Sequence, residues 1–179
     1  HIMQEMFASS KRPFYQSTQL LTIGPIEREA YADFAIGHFA EHNLQLHRAI
    51  FDDIYDKFGG HTWYVQCILN RLYGYNRDVD KDMVAYAIEQ IISEQSYSYE
   101  SVLKNYSTGH LRLLKAIARE TCVKEVLAGD FISRHKLRAP SSVSSALKKL
   151  IDNELVYKTP CGYVIYDMFM GEWLRRMPF

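Results

Sequence analysis

A mainly α-helical fold, in which a helical bundle is followed by a helical unit carrying one β-hairpin, is predicted by three observations on the 179 residues. Apolar residues recur at helical spacing from about residue 25 to 154. Two short runs rich in β-branched and aromatic residues, Leu155-Val156-Tyr157-Lys158 and Tyr163-Val164-Ile165-Tyr166, then flank the turn Thr159-Pro160-Cys161-Gly162. The charge also divides: residues 1–106 hold 9 Lys/Arg and 14 Asp/Glu, whereas 107–179 hold 12 and 7. An overall balance of zero therefore conceals an acidic half and a basic half.

The elements follow in order. Pro13, Gly24 and Pro25 interrupt residues 1–25, where Leu20, Leu21 and Ile23 read as a short extended run. Ile26, Ala30 and Phe34, beside Tyr31, Ala35 and Phe39, predict a helix over 25–42. Leu46, Ile50, Phe51, Ile54, Tyr55 and Phe58 form a second apolar face, closed by Gly59-Gly60. Thr62 is placed to cap the next helix, over 62–74. A fourth follows Asp80 and ends near 94, and Tyr97, Tyr99, Val102 and Leu103 suggest a further short helix.

After Thr108, Leu111, Leu114, Ile117 and Ala118 mark one helix, and Val126, Leu127, Phe131 and Ile132 a second segment. Ser141 is placed to cap a third, with Val143, Ala146, Leu147, Leu150 and Ile151 on one stripe. The hairpin comes next, and Phe169, Trp173 and Leu174 belong to a last helix. Three helices, a hairpin and a final helix are the layout of a winged helix-turn-helix. The domain reading is thus a tail over 1–24, a helical bundle over 25–106 and a winged helix over 107–179.

Several function classes are excluded or disfavoured. No G-x-x-x-x-G-K-[ST], G-x-G-x-x-G, G-x-S-x-G or H-E-x-x-H motif occurs, so no catalytic residue is assigned and the chain alone is not expected to be an enzyme. No apolar run approaches the roughly 20 residues of a membrane span, and no membrane partner is expected. Cys67, Cys122 and Cys161 are odd in number and far apart, which argues against a disulfide framework or structural zinc and points to a reducing, cytoplasmic setting. His38 and His42, one helical turn apart with His47 nearby, could grip one ion, but no third ligand stands at a typical spacing, and no metal is assigned.

Two stretches carry candidate binding chemistry. Ser141, Ser142, Ser144, Ser145, Lys148, Lys149 and Asn153 are the positions left over by the apolar stripe of the third winged helix. Short hydroxyls allow close approach to phosphates and the lysines supply charge, so this face suits a nucleic-acid backbone or a protein partner. It holds no Arg or Gln for bidentate reading of bases. At Phe58-Gly59-Gly60-His61-Thr62 a helix ends in two glycines and the next begins at once, which aims backbone N–H groups outward where an anion can bind. The tyrosines of the second half, Tyr97, Tyr99, Tyr106, Tyr157, Tyr163 and Tyr166, suit packing against the helices beneath more than stacking on bases.

The arrangement resembles the C-terminal part of prokaryotic P-loop ATPases of the AAA+/STAND type, the archaeal-type ATPases and their bacterial relatives. The resemblance is carried by Arg12-Pro13-Phe14-Tyr15-Gln16-Ser17, Leu21-Thr22-Ile23-Gly24-Pro25-Ile26, Tyr31-Ala32-Asp33-Phe34 and Gly59-Gly60-His61-Thr62-Trp63-Tyr64-Val65-Gln66. Phe131 to Leu137, Ser141-Ser142-Val143 and Val164-Ile165-Tyr166-Asp167 before Trp173-Leu174 complete it. It implies that residues before 20 end a nucleotide-binding domain, that 25–106 form a lid and that His1 to Phe7 continue from a preceding core. Gly59, Gly60 and His61 would then face the nucleotide, with Arg12 a charge-stabilising arginine, and ATP and Mg would be bound by the parent protein rather than by this chain. Thr62 stands where that family's lid turn has proline. The alternative is a stand-alone winged-helix DNA-binding transcriptional regulator. An upstream P-loop in the reading frame would separate the two from a start at Met3.

Overall fold

Eight helices and one hairpin make up residues 24–178, which the computed structural model describes. They are α1 (Arg28–Glu41), α2 (Arg48–Lys57), α3 (Thr62–Gly74), α4 (Lys81–Leu103), α5 (Thr108–Glu120), α6 (Gly129–Arg134), α7 (Pro140–Asp152), β1 (Val156–Thr159), β2 (Gly162–Ile165) and α8 (Met168–Arg176). The chain is mainly helical, with a bundle, α1 to α4, leading into the winged helix, α5 to α8. Arg12 and the extended run ending at Ile23 lie outside the described residues.

Local chemistry accounts for most boundaries. Asp80 caps α4, its Oδ1 accepting the Met83 N–H at 2.7 Å. Asp167 does the same for α8, accepting from Phe169 at 2.8 Å and Met170 at 3.1 Å. Other expected caps move by one or two residues. Ala139 occupies the N-cap of α7 with Pro140 at its first position, so Ser141 is inside the helix; proline's fixed φ and missing N–H suit that first turn. His61, not Thr62, is the N-cap of α3. The break expected near residue 94 is absent, because no Gly or Pro falls between 81 and 103 and the apolar stripe simply continues to Tyr99 and Leu103.

The core is one continuous cluster. In α1, Tyr31, Ala32, Ala35 and Phe39 are buried, and Tyr31 meets Phe51 of α2 edge to face at 5.4 Å. Phe34, expected on that face, is 70% exposed, since a helix packed on one side buries only part of a wide apolar arc, and Ile26, 43% exposed, lies before the helix, which starts at Arg28 rather than at 25. Ile151 is likewise 37% exposed, beyond the edge of the α7 stripe. In the winged helix, α5 packs on α7, α8 and β2. The hairpin pairs Val156 with Ile165 and Thr159 with Gly162 around the two-residue turn Pro160-Cys161.

A disulfide joins Cys122 to Cys161, with Cα atoms 6.3 Å apart, which corrects the sequence expectation and removes the premise of the reducing compartment. The two cysteines are 39 residues apart. They meet because Val123, between α5 and α6, forms an antiparallel bridge to Tyr163, with N–H to O distances of 3.0 and 2.8 Å in the two directions. Among the described residues no helix is long and apolar enough to cross a membrane.

The faces of α7 yield a direct check. Leu147 is buried and Ser144 exposed. Leu147→Ala is expected to cost about 2–3 kcal/mol in urea unfolding, and Ser144→Ala less than about 0.5 kcal/mol. A larger loss at Ser144 than at Leu147 would mean that the helix is rotated.

Candidate functional site: the glycine turn, the seam and the basic face

The glycine turn sits against the winged helix. Gly59 and Gly60 have φ of 56° and 69°, and the Gly60 N–H reaches back to the Tyr55 carbonyl at 2.8 Å. A Cβ at Gly60 would lie 2.6 Å from Cζ and Oη of the Tyr55 ring, so the position admits only glycine. The Tyr55 hydroxyl donates to the Ile26 carbonyl at 2.9 Å, and the Arg28 guanidinium lies 4.8 Å from its ring. His61 is exposed, and its side chain leaves the first-turn amides of α3 uncapped.

On the other side of the turn, aromatic rings join bundle to wing. Phe169, fully buried at the start of α8, meets Phe58 at 5.3 Å, Tyr64 at 5.1 Å and Trp63 at 6.0 Å. The Tyr64 hydroxyl accepts the Met168 N–H at 3.1 Å. Burial raises the Tyr64 phenol above its ordinary range. Lys57 pairs with Glu172 at 3.1 Å, Arg176 pairs with Glu89, and Tyr99 packs on Trp173 at 5.4 Å. Gly59, Gly60 and His61 are thus brought together beside the seam between the two halves.

The α7 face is where its pattern places it: Ser141, Ser142, Ser144, Ser145, Lys148, Lys149 and Asn153 are all exposed. Two are engaged locally. The Ser145 hydroxyl donates to the Ser141 carbonyl at 3.1 Å, and Lys149 Nζ lies 5.6 Å from the Tyr106 ring centroid. Partial burial, and then the nearby Lys149 charge, lower the pKa of His110 at the start of α5. Among the described residues no hydrogen bond, ion pair, ring contact or shared cavity links the α7 face to the glycine turn, so the two candidate stretches are treated as separate surfaces. Of the tyrosines, Tyr99 is buried, whereas Tyr157 and Tyr166 form an exposed pair 5.7 Å apart.

Two features escaped the sequence reading. Glu41 joins His38 and His42, so that one ligand atom from each lies within 4.8 Å of the others on the exposed face of α1. This supplies the third ligand that residue spacing had not offered, and no other group of this kind occurs among the described residues. The second is a basic face on α5 and the α6–α7 turn. A cavity of about 490 Å³ is lined by Arg112, Arg119, Arg134, His135 and Lys136. Beside it Glu120 takes hydrogen bonds at 2.6 Å from both Arg134 and His135. Burial pushes the Glu120 carboxyl up, but those two bonds outweigh it and hold the group below the ordinary carboxylate range. Arg134, His135 and Lys136 are consecutive in the chain, but Arg112 and Arg119 lie 15 to 24 residues before them on another helix, so the sequence shows a short basic run without the face that it completes.

With three helices, a hairpin hooked to the segment before α6, and a closing helix in place, the comparison with known families can be stated. Residues 97–176 match the family described as a probable winged helix domain. The C-terminal half is therefore a winged helix by both architecture and sequence. The match begins inside α4, whose Tyr99 packs on Trp173 of α8 and whose Leu103 is buried. Compared with curated proteins and with solved structures, the chain has no match.

Proposed function

We propose that this chain is the lid and winged-helix region of a P-loop ATP-binding protein, and that it passes the nucleotide state of the core to a partner. The observation that carries the reading is the position of the glycine turn on the aromatic seam. A nucleotide-facing turn built on Phe58 and Tyr64 cannot shift without moving Phe169 and hence α8, because close-packed rings transmit displacement rather than absorb it. Gly59, Gly60 and His61 would approach the nucleotide, with Arg12 as a further charge from the preceding segment. ATP and Mg would be held by the nucleotide-binding domain of the parent.

A second reading, a stand-alone winged-helix DNA-binding regulator, is favoured by the exposed hydroxyl and lysine face of α7. The reading frame and ATP turnover decide between them. An upstream G-x-x-x-x-G-K-[ST], with no hydrolysis by the isolated 179 residues and nucleotide-dependent activity of the whole protein reduced by Gly60→Ala, is the expected result. ATP turnover by the isolated chain, undiminished in a Gly60→Ala and His61→Ala double variant, would overturn the lid role. A frame opening at Met3 with no P-loop would leave the regulator.

A further inference from the structure

Most cations of the bundle are used up in internal pairing. Arg28 binds Asp56, Arg48 binds Glu29 at 2.6 Å, Arg71 binds Glu94 at 2.6 Å and Lys81 binds Asp53 at 2.9 Å. In the winged helix Arg134, Arg175 and Arg176 are paired in the same way, with Glu120, Glu172 and Glu89, but one group of cations is not. Arg112, Lys136 and Arg138 line adjoining cavities across α5 and the α6–α7 turn, and among the described residues no carboxylate forms an ion pair with them. Arg112 reaches over the turn to the Lys136 carbonyl at 3.4 Å, which holds the two segments together without neutralising either charge.

The cavity of about 490 Å³ shares Arg112 with a second, of about 230 Å³, lined in part by Thr108, Gly109, Arg138 and Ser142. The two adjoin at Arg112, and we take them together as one groove-like surface, from Ser142 in the first turn of α7, past Arg112 of α5, to Lys136 in the α6–α7 turn. Arg119 lies two helical turns beyond Arg112, about 10 Å at 1.5 Å per residue, and is engaged by the Met177 carbonyl at 3.1 Å, so the contact is assigned to Arg112, Lys136 and Arg138. Hydroxyls of Thr108 and Ser142 lie at one end, and hydroxyls together with guanidinium groups are the usual phosphate-contacting set.

The turn itself supports a binding role. Lys136 has φ of 50°, in the left-handed region that a helix C-terminus normally assigns to Gly or Asn. Its N–H bonds the Ser133 carbonyl at 3.1 Å, and the Leu137 N–H bonds Ile132 at 2.9 Å. The same helix-end closure recurs at Glu154 after α7, with φ of 57°; at the end of α6 it places Lys136 at the cavity.

We propose that this groove, rather than the serine and lysine face of α7 alone, binds the phosphodiester backbone of nucleic acid. The inference rests on the partner half of the function proposed above and not on its ATP half. Duplex would lie with one strand along α5, the first turn of α7 at its edge and Arg112, Lys136 and Arg138 each opposite a phosphate. Contacts to backbone alone make the binding tolerant of sequence.

The test uses the 179-residue chain, without nucleotide, and a fluorescent mixed-sequence duplex titrated by anisotropy between 50 and 200 mM salt. Three backbone contacts predict a log–log salt slope of about −2.7, or a loss of about 40-fold in affinity over that range. The Arg112→Gln, Lys136→Gln and Arg138→Gln triple variant, with its fold checked by circular dichroism, should remove that slope. Lys148→Gln with Lys149→Gln should change it by less than about 1. Arg138→Glu alone, at an exposed position, should weaken binding at low salt even if the triple variant proves unstable. If the lysine pair abolishes binding while the groove variants do not, the proposal is wrong and the contact lies on α7. If inorganic triphosphate binds as tightly as duplex, the groove is a small-anion site and the nucleic-acid assignment falls. Absence of duplex binding at 50 mM salt also overturns it, and leaves the ATP-coupled reading standing with a protein partner.

Discussion

Truncating Phe169 to Ala is expected to destabilise the chain by about 3–5 kcal/mol and to loosen both halves together. The ring is fully buried at the one place where Phe58 and Tyr64 from the bundle meet α8. Removing it leaves a cavity that neither half can close alone. Phe58 and Tyr64 are stacked on each other at 5.7 Å, and Tyr64 is tied to the Met168 N–H, so relaxation of one ring is opposed by the others. The loss is read as a shift in urea midpoint, with hydrogen exchange reporting where protection goes. Amides of α3 and of α8 should lose protection in parallel. Loss confined to α8 would show that the seam is not a coupling element, and the glycine turn could then not signal through it. Trp63→Ala is the companion measurement: that ring is 52% exposed, and its removal should cost clearly less.

The parts of this fold that were legible in the sequence are those written locally. The hairpin directly after the α7 stripe, the Asp80 cap and the Gly59-Gly60 stop each depend on residues within one or two turns of one another, and period and turn chemistry locate them. Cap positions slipped where a competing local preference won. Pro140 at the first position of α7 displaced the cap to Ala139, and a continuous apolar stripe carried α4 past the end expected near residue 94. The long-range features were not legible. Cys122 and Cys161 pair only because Val123 and Tyr163 bridge, and nothing in either cysteine's neighbourhood announces that partner. Arg112 and Lys136 likewise come together through the turn after α6, so the basic half was visible as a total while its groove was not. For the candidate site, the glycine turn and the α7 face were found as sequence stretches. Their separation in space, and the aromatic seam that joins the first of them to α8, required the tertiary structure.

That same bridge sets the second large effect. Gly162→Ala is expected to cost about 2–6 kcal/mol, the sum of a strained backbone and of overpacking. Gly162 opens β2 with φ of 142°, a conformation that side-chain-bearing residues rarely adopt, and it is buried. An added Cβ would overlap the Val123 carbonyl and crowd the Lys124 nitrogen. The chain cannot yield by moving Val123 outward, because Val123 exchanges two backbone hydrogen bonds with Tyr163 and the neighbouring Cys122 is bonded to Cys161. Relief therefore has to break the bridge, and with it the anchoring of the wing to the segment before α6. Thermal unfolding measures the cost, and amide exchange at Val123 and Tyr163 shows whether the bridge has opened. Gly129→Ala is the control: nothing lies within 4 Å of its added Cβ, and it starts a helix, so it should be neutral or raise stability by about 0.4–1 kcal/mol. Similar melting temperatures for the two variants would mean that residue 162 can adopt an ordinary strand conformation, and that the hook between Val123 and the wing does not constrain it.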